Sequence, residues 1–116
     1  MDKVKLITFG FKYGQPICNY WFDVSFLINP VRQPGRSLKD KIDDSMIKFI
    51  EEQPETSQIL TIIENLALFA SKLDDDVRIG IGCNSGRHRS RAIAQLLSLR
   101  LLDKIEVKII HREDLL

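Results

Sequence analysis

Between residues 77 and 110 the chain carries a pattern that few folds accept. Val77, Ile79, Ile81 and Cys83 alternate with Arg78, Gly80 and Gly82, which is the period of a strand. Glycines inside a strand imply close approach by a neighbouring backbone or a ligand. Residues 86–102 follow as a helix with Ala92, Ile93, Leu96, Leu97, Leu99 and Leu101 at its apolar positions, and residues 106–110 form a last strand. A strand, a helix and a strand in direct succession make a βαβ unit, so these two strands are expected to be parallel with a right-handed crossover.

The upstream half supplies the rest of the sheet. Residues 4–9, Val-Lys-Leu-Ile-Thr-Phe, are β-rich and run into a turn marked by Gly10 and Gly14. Residues 20–27 read as a second strand, stopped by Asn29-Pro30. A long loop then covers residues 28–41, with Pro30, Pro34 and Gly35 among Arg32, Arg36, Lys39 and Lys41. Asp43, Asp44 and Ser45 offer N-cap oxygens for a short helix. Gln53-Pro54-Glu55 opens a longer helix, with proline where its missing N–H costs nothing. Ile59, Ile62, Ile63, Leu66, Phe69, Ala70 and Leu73 keep helical spacing, so one face of that helix should be buried. Asp74-Asp75-Asp76 reads as an exposed turn rather than a metal site. The order β-β-α-α-β-α-β predicts a single α/β domain over residues 1–116, with a short, mostly parallel sheet.

Size and charge narrow the functional classes. A chain of 116 residues has room for one core. Its formal net charge of +1 argues against a generally basic nucleic-acid surface while allowing a local positive patch. No apolar run has the length of a membrane span, and residues 1–4 do not resemble a signal peptide, so a cytoplasmic protein without membrane contact is expected. The two cysteines, Cys18 and Cys83, can make neither a disulfide framework nor a four-ligand zinc site. No cofactor is expected.

The chemistry is concentrated in Gly82-Cys83-Asn84-Ser85-Gly86-Arg87-His88-Arg89-Ser90, between a strand and a helix. A helix start exposes unpaired N–H groups and the positive end of its dipole, and a glycine lets the backbone fold round an anion. Arg89 can grip two phosphate oxygens with its planar fork, and Ser85 and Ser90 supply hydroxyls. Arg87, His88, Arg89 and Arg91 read either as an exposed first helical turn or as an anion site, and cations at a helix N-terminus oppose the dipole unless an anion answers them, which favours the second. No Gly-Lys-Ser/Thr follows Gly86, which excludes a nucleotide P-loop. In an open α/β sheet the ligand crevice lies beyond the carboxyl ends of the strands. That edge collects His111 and Arg112 as well. It also collects Lys12, Asn29 and Arg32 if the first two strands run the same way.

Thr8-Phe9-Gly10-Phe11-Lys12-Tyr13-Gly14, Phe22-Asp23-Val24 with Phe26-Leu27 and Asn29-Pro30, Gln53-Pro54-Glu55, Ile81-Gly82-Cys83 with Gly86-Arg87-His88-Arg89-Ser90, and His111-Arg112 occur in that order. Together they resemble the C-terminal domain of the RapZ family, the RNase adapter proteins, across residues 4–114. The resemblance implies a three-layer-like α/β domain similar to a sugar-phosphate-binding lobe of phosphofructokinase. It implies a non-catalytic regulatory domain that senses glucosamine-6-phosphate or another phosphorylated small molecule. Lys12, Asp23, Asn29, Asn84, Ser85, Gly86, His88, Arg89, Ser90, His111 and Arg112 become ligand-site candidates, with Asp23 a partner for a ligand ammonium. RNA, an RNase and a second copy of the chain enter as partners by the same resemblance. The motifs belong to the family's C-terminal domain and not to its N-terminal P-loop NTPase half, so no ATPase activity is expected. Ser25 stands where the family usually carries arginine, and Asn84-Ser85 replaces the usual Thr-Gly.

A shorter likeness points to different chemistry. Cys83-x-x-Gly86-x-x-Arg89-Ser90 fits the C-x5-R loop of cysteine-dependent phosphatases, in which a thiolate attacks phosphorus and the arginine holds its oxygens. Cys83 and Arg89 would then be catalytic. Gly82 occupies the place of the histidine usual before that cysteine, and no motif places a general acid.

Overall fold

The computed structural model describes residues 3–115. Four strands, β1 (Val4–Gly10), β2 (Tyr20–Asp23), β3 (Val77–Cys83) and β4 (Val107–His111), form one sheet in the order β2-β3-β1-β4. Every pairing is parallel. Three helices, α1 (Asp44–Glu51), α2 (Pro54–Leu73) and α3 (Arg89–Leu101), complete the predicted order, with 3-10 turns at Phe11–Tyr13, Pro30–Arg32 and Arg112–Asp114. No described helix is long and apolar enough to cross a membrane.

The register divides the two faces of the sheet. Val4, Leu6 and Thr8 of β1 lie level with Val77, Ile79 and Ile81 of β3 and with Val107, Ile109 and His111 of β4. The apolar members of that set join Leu60, Ile63 and Ala67 of α2 and Ala92, Ile93, Leu96 and Leu97 of α3 in one core. On the opposite face Ile7 and Phe9 are buried, and Gly80 and Gly82 make room for Phe9, Phe11, Cys18 and Trp21. Handedness explains the division. The β2-to-β3 and β3-to-β4 connections move the same way across the sheet, so right-handed crossovers put α1, α2 and α3 on one side. The β1-to-β2 connection moves the other way, and residues 11–19 lie across the other side. Helices, sheet and this thin covering segment make the three layers.

Three expectations shift in detail. The second strand ends at Asp23 instead of running to residue 27, because the Asp23 carboxylate accepts the Ser25 N–H at 2.8 Å and the Leu27 N–H turns back to the Val24 carbonyl. Helix α3 begins at Arg89 and not at 86, because Gly86 has φ +72 and leaves the helical path. In α2 the buried face is Thr56, Leu60, Ile63, Ala67 and Ala70, whereas Ile62, Phe69 and Leu73 are exposed. Residues 59, 62, 66, 69 and 73 form a second stripe with the same three-four spacing. Periodicity alone does not choose between two such stripes, and packing does.

The end of β1 and the β3–α3 loop are interlocked. A methyl group on Gly86 would sit 2.6 Å from the Gly10 nitrogen and the Phe9 carbonyl carbon, and one on Gly10 would sit 2.5 Å from the Ser85 carbonyl carbon. Gly35 also has positive φ, at +80, with nothing within 4 Å of the same position. Gly35→Ala should therefore cost the strain of a left-handed residue alone, about 1–2 kcal/mol. Gly86→Ala should cost clearly more, read from urea midpoints of the two variants. Equal losses would mean that the loop moves freely off β1.

Candidate anion-binding site

All four strands deliver their carboxyl ends to one edge. Neighbours β1 and β3 send their connections in opposite directions at that edge, which is where an open parallel sheet places its ligands. The Lys12 N–H donates to the Asn84 carbonyl at 3.2 Å and ties the two loops together there. Lys12, Asp23, Asn29, Asn84, Ser85, Gly86, His88, Arg89, Ser90, His111 and Arg112 all fall on this edge or in the first turn of α3.

Helix α3 has no side-chain cap at its N-terminus, and its first backbone bond runs from the Ala92 N–H to the His88 carbonyl at 2.9 Å. The amides of residues 89–91 come before that bond, where helix geometry leaves donors without an intrahelical acceptor. Among the described residues, neither Arg87 nor Arg89 forms an ion pair. This end of the helix is thus rich in positive charge and donors.

The candidates separate by what already holds them. Lys12, Asp23 and Asn84 are exposed. The Lys12 ammonium lies 5.2 Å from the Tyr13 ring centroid, and Asp23 caps its own turn through Ser25. Asn29 caps the Pro30–Arg32 turn through the Val31 N–H. Ser85, Arg89, His111 and Arg112 are half-buried, whereas Gly86, His88 and Ser90 are buried. His88 Nε2 donates to the Asp40 carbonyl at 2.6 Å. Arg89 Nη1 donates to the carbonyls of Ser25 at 2.7 Å and Leu27 at 3.3 Å, while its buried Nε has no partner. Arg89 borders a cleft of about 440 Å³ with Ser25, Leu27, Asn29, Arg32 and Leu38. Lys39, Lys41, Arg87 and Arg91 border a second cleft, of about 810 Å³. Cys83 is 2% exposed and belongs to the helix-side core, its Sγ donating to Ser90 Oγ at 3.4 Å.

Two supporting residues have roles beyond the sequence reading: Glu113 was not singled out, and Arg91 entered only as part of the cationic run at the start of α3. Glu113 is buried and accepts the Gly10 N–H at 2.6 Å while pairing with Arg112 at 2.9 Å. Arg91 donates from Nε to the Gly86 carbonyl at 2.8 Å and pairs with Asp114 at 2.9 Å. The available signal was that Arg91 and Asp114 carry opposite charges on segments meeting at the same edge. Nothing marked Glu113 as buried. Arg112 also lies 5.7 Å from the Phe9 ring centroid, so the guanidinium that follows β4 reaches a side chain near the end of β1.

An α/β domain with an uncapped, cationic helix start at the carboxyl edge of a parallel sheet is the class that the geometry defines. The sequence matches the family described as RapZ C-terminal domain over residues 2–114. This chain belongs to that family. A nucleotide-binding protein of Acetivibrio thermocellus is 36% identical over 100 residues, covering 81% of this chain and 34% of that protein. A nucleotide-binding protein in the ptsN-ptsO intergenic region of Shewanella violacea is 36% identical over 113 residues, covering 91% and 40%. A nucleotide-binding protein of Listeria monocytogenes is 33% identical, covering 95% and 40%. The chain thus spans 34–40% of the length of these relatives.

His111 reports on the edge. Burial holds its imidazole below the ordinary 6.5, with Arg91 pushing the same way and Asp114 against it, and Thr8 Oγ1 sits 2.7 Å from its Nδ1. The unfolded chain therefore takes up a proton at higher pH than the folded one, and stability falls as pH drops through about 6.5 toward the depressed folded value. His111→Gln removes this contribution. Wild type should lose more stability than the variant between about pH 7.5 and about pH 5.5 in urea titrations. Identical losses would mean that His111 titrates as in the unfolded chain.

Proposed function

We propose that this domain is a non-catalytic regulatory module that binds a phosphorylated small molecule, an amino-sugar phosphate such as glucosamine-6-phosphate, at the loop before α3. The observation that carries this reading is the uncapped start of α3 behind the Gly86 turn, at the carboxyl edge of the sheet. Backbone amides of the 84–91 stretch hold the phosphate, and the exposed Lys12 and half-buried His111 and Arg112 meet sugar hydroxyls or phosphate. The exposed Asp23 carboxylate suits a ligand ammonium. The family resemblance supports the amino-sugar phosphate, and the nucleotide-binding names of the relatives are compatible with a phosphorylated ligand.

Burial of Cys83 and its bond to Ser90 favour binding over thiolate attack, because a nucleophile has to reach the phosphorus. RNA or an RNase, if the family's adapter role extends to this chain, meets the exposed Arg32, Lys39, Lys41 and Arg87 around the same helix start. A cytoplasmic setting and a homo-oligomer belong to the same proposal.

Glucosamine-6-phosphate at about 100 times its dissociation constant should stabilise the fold by roughly 2.7 kcal/mol. Glucosamine should do far less, because the loop reads the anion. Thermal unfolding with each compound decides the matter. Equal shifts from both, or none from either, would overturn the phosphosugar reading.

A further inference from the structure

Residues 24–42 contain no strand and no helix beyond the 3-10 turn Pro30–Arg32. Most side-chain bonds of this segment stay within it or reach its borders: Asp23 to Ser25, Asn29 to Val31, Ser37 to Asp40 and Lys39, and Arg36 to Asp43. From further off, three side chains reach its backbone. Gln53 exchanges two hydrogen bonds with Ile28, at 2.8 and 2.9 Å. The other two, His88 and Arg89, are neighbours at the start of α3, and they take opposite ends of the segment. His88 holds the Asp40 carbonyl, and Arg89 holds those of Ser25 and Leu27.

Among the described residues two buried side-chain polar atoms lack a partner, Arg89 Nε and Gln33 Oε1. One lies in the arm that holds the segment and the other lies in the segment itself.

We infer that His88 and Arg89 are positioning residues that tie the order of residues 24–42 to occupancy of the anion site. The inference rests on the proposed site and adds its regulation. An anion on the amides of residues 84–91 immobilises the backbone that carries both side chains. The entropy of ordering that turn is then already spent, and the bonds to Ser25, Leu27 and Asp40 form at lower cost. The coupling is reciprocal: a partner that orders residues 24–42 tightens ligand binding by the same factor. The segment exposes Phe26, Ile28 and Leu38 together with Arg32, Lys39 and Lys41, so its order changes the surface offered beside the site.

Hydrogen exchange read by mass spectrometry on the whole chain, with glucosamine-6-phosphate and with inorganic phosphate as probes, tests this alongside calorimetry. Bound ligand should slow exchange in residues 24–28 and 38–42 by about fivefold or more, the low end of usual coupling. Arg89→Lys, which loses the planar fork, should raise exchange of 24–28 in the free protein while leaving that of 38–42 unchanged. His88→Gln should do the reverse. Circular dichroism checks that each variant folds, and either variant alone suffices. Binding by calorimetry without protection of either stretch overturns the coupling and leaves the site standing. Absence of binding to both probes overturns the site and the coupling together. Uniform loss of protection along the whole chain in both variants also overturns the coupling, since it marks a merely structural role.

Discussion

Where β1 ends, the backbone of Gly10 lies against the backbone of Ser85 and Gly86 with no space for a side chain between them. The rest of the edge depends on this contact. It brings the β3–α3 loop over the end of β1, lets the Lys12 N–H reach the Asn84 carbonyl, and sets the direction in which α3 leaves the sheet. Glu113 secures the same point from the other side by accepting the Gly10 N–H, and Arg91 secures it from above through the Gly86 carbonyl. Three chain segments far apart in sequence are thus held to one short stretch of backbone. A larger residue at either glycine separates them.

The same contact sets the electrostatics. A helix whose first turn carries Arg89 and Arg91, with Arg87 just before it, works against its own dipole. The fold offsets part of this internally, because Arg91 pairs with Asp114 and Arg89 turns its guanidinium to the carbonyls of the 24–28 loop. Arg87 is left exposed, and the amides at the start of the helix have no cap. An anion suits such a helix start, because it answers both the free amides and the positive end of the dipole. Cys83 is buried beneath it, with its Sγ bonded to Ser90 of the first turn.

Much of the fold was legible because it rests on local rules. The alternation of residues 77–83, the proline at the start of α2 and the aspartate before α1 each carry their own signal, and element order follows from them. That the candidate residues gather at the carboxyl edge follows from parallel topology. What was not legible depends on which of two equivalent choices packing takes. Helix α2 carries two apolar stripes, and contact with α3 selects the one through Leu60, Ile63 and Ala67. Arg89 offers its fork to phosphate or to carbonyl oxygens, and only the path of residues 25–27 assigns Nη1 to the carbonyls. Burial of His88 and Glu113 likewise comes from segments that sequence does not bring together.

The central claim is that phosphate sits on the backbone of the loop before α3, and backbone amide resonances observe that place directly. In a ¹⁵N–¹H titration with glucosamine-6-phosphate, the largest shifts should fall on residues 84–91, with smaller ones at Lys12 and Arg112. Shifts centred instead on the cleft between the end of α3 and β4, at Leu99, Leu102 and Val107, would contradict the account, as would a spectrum that saturating ligand leaves unchanged.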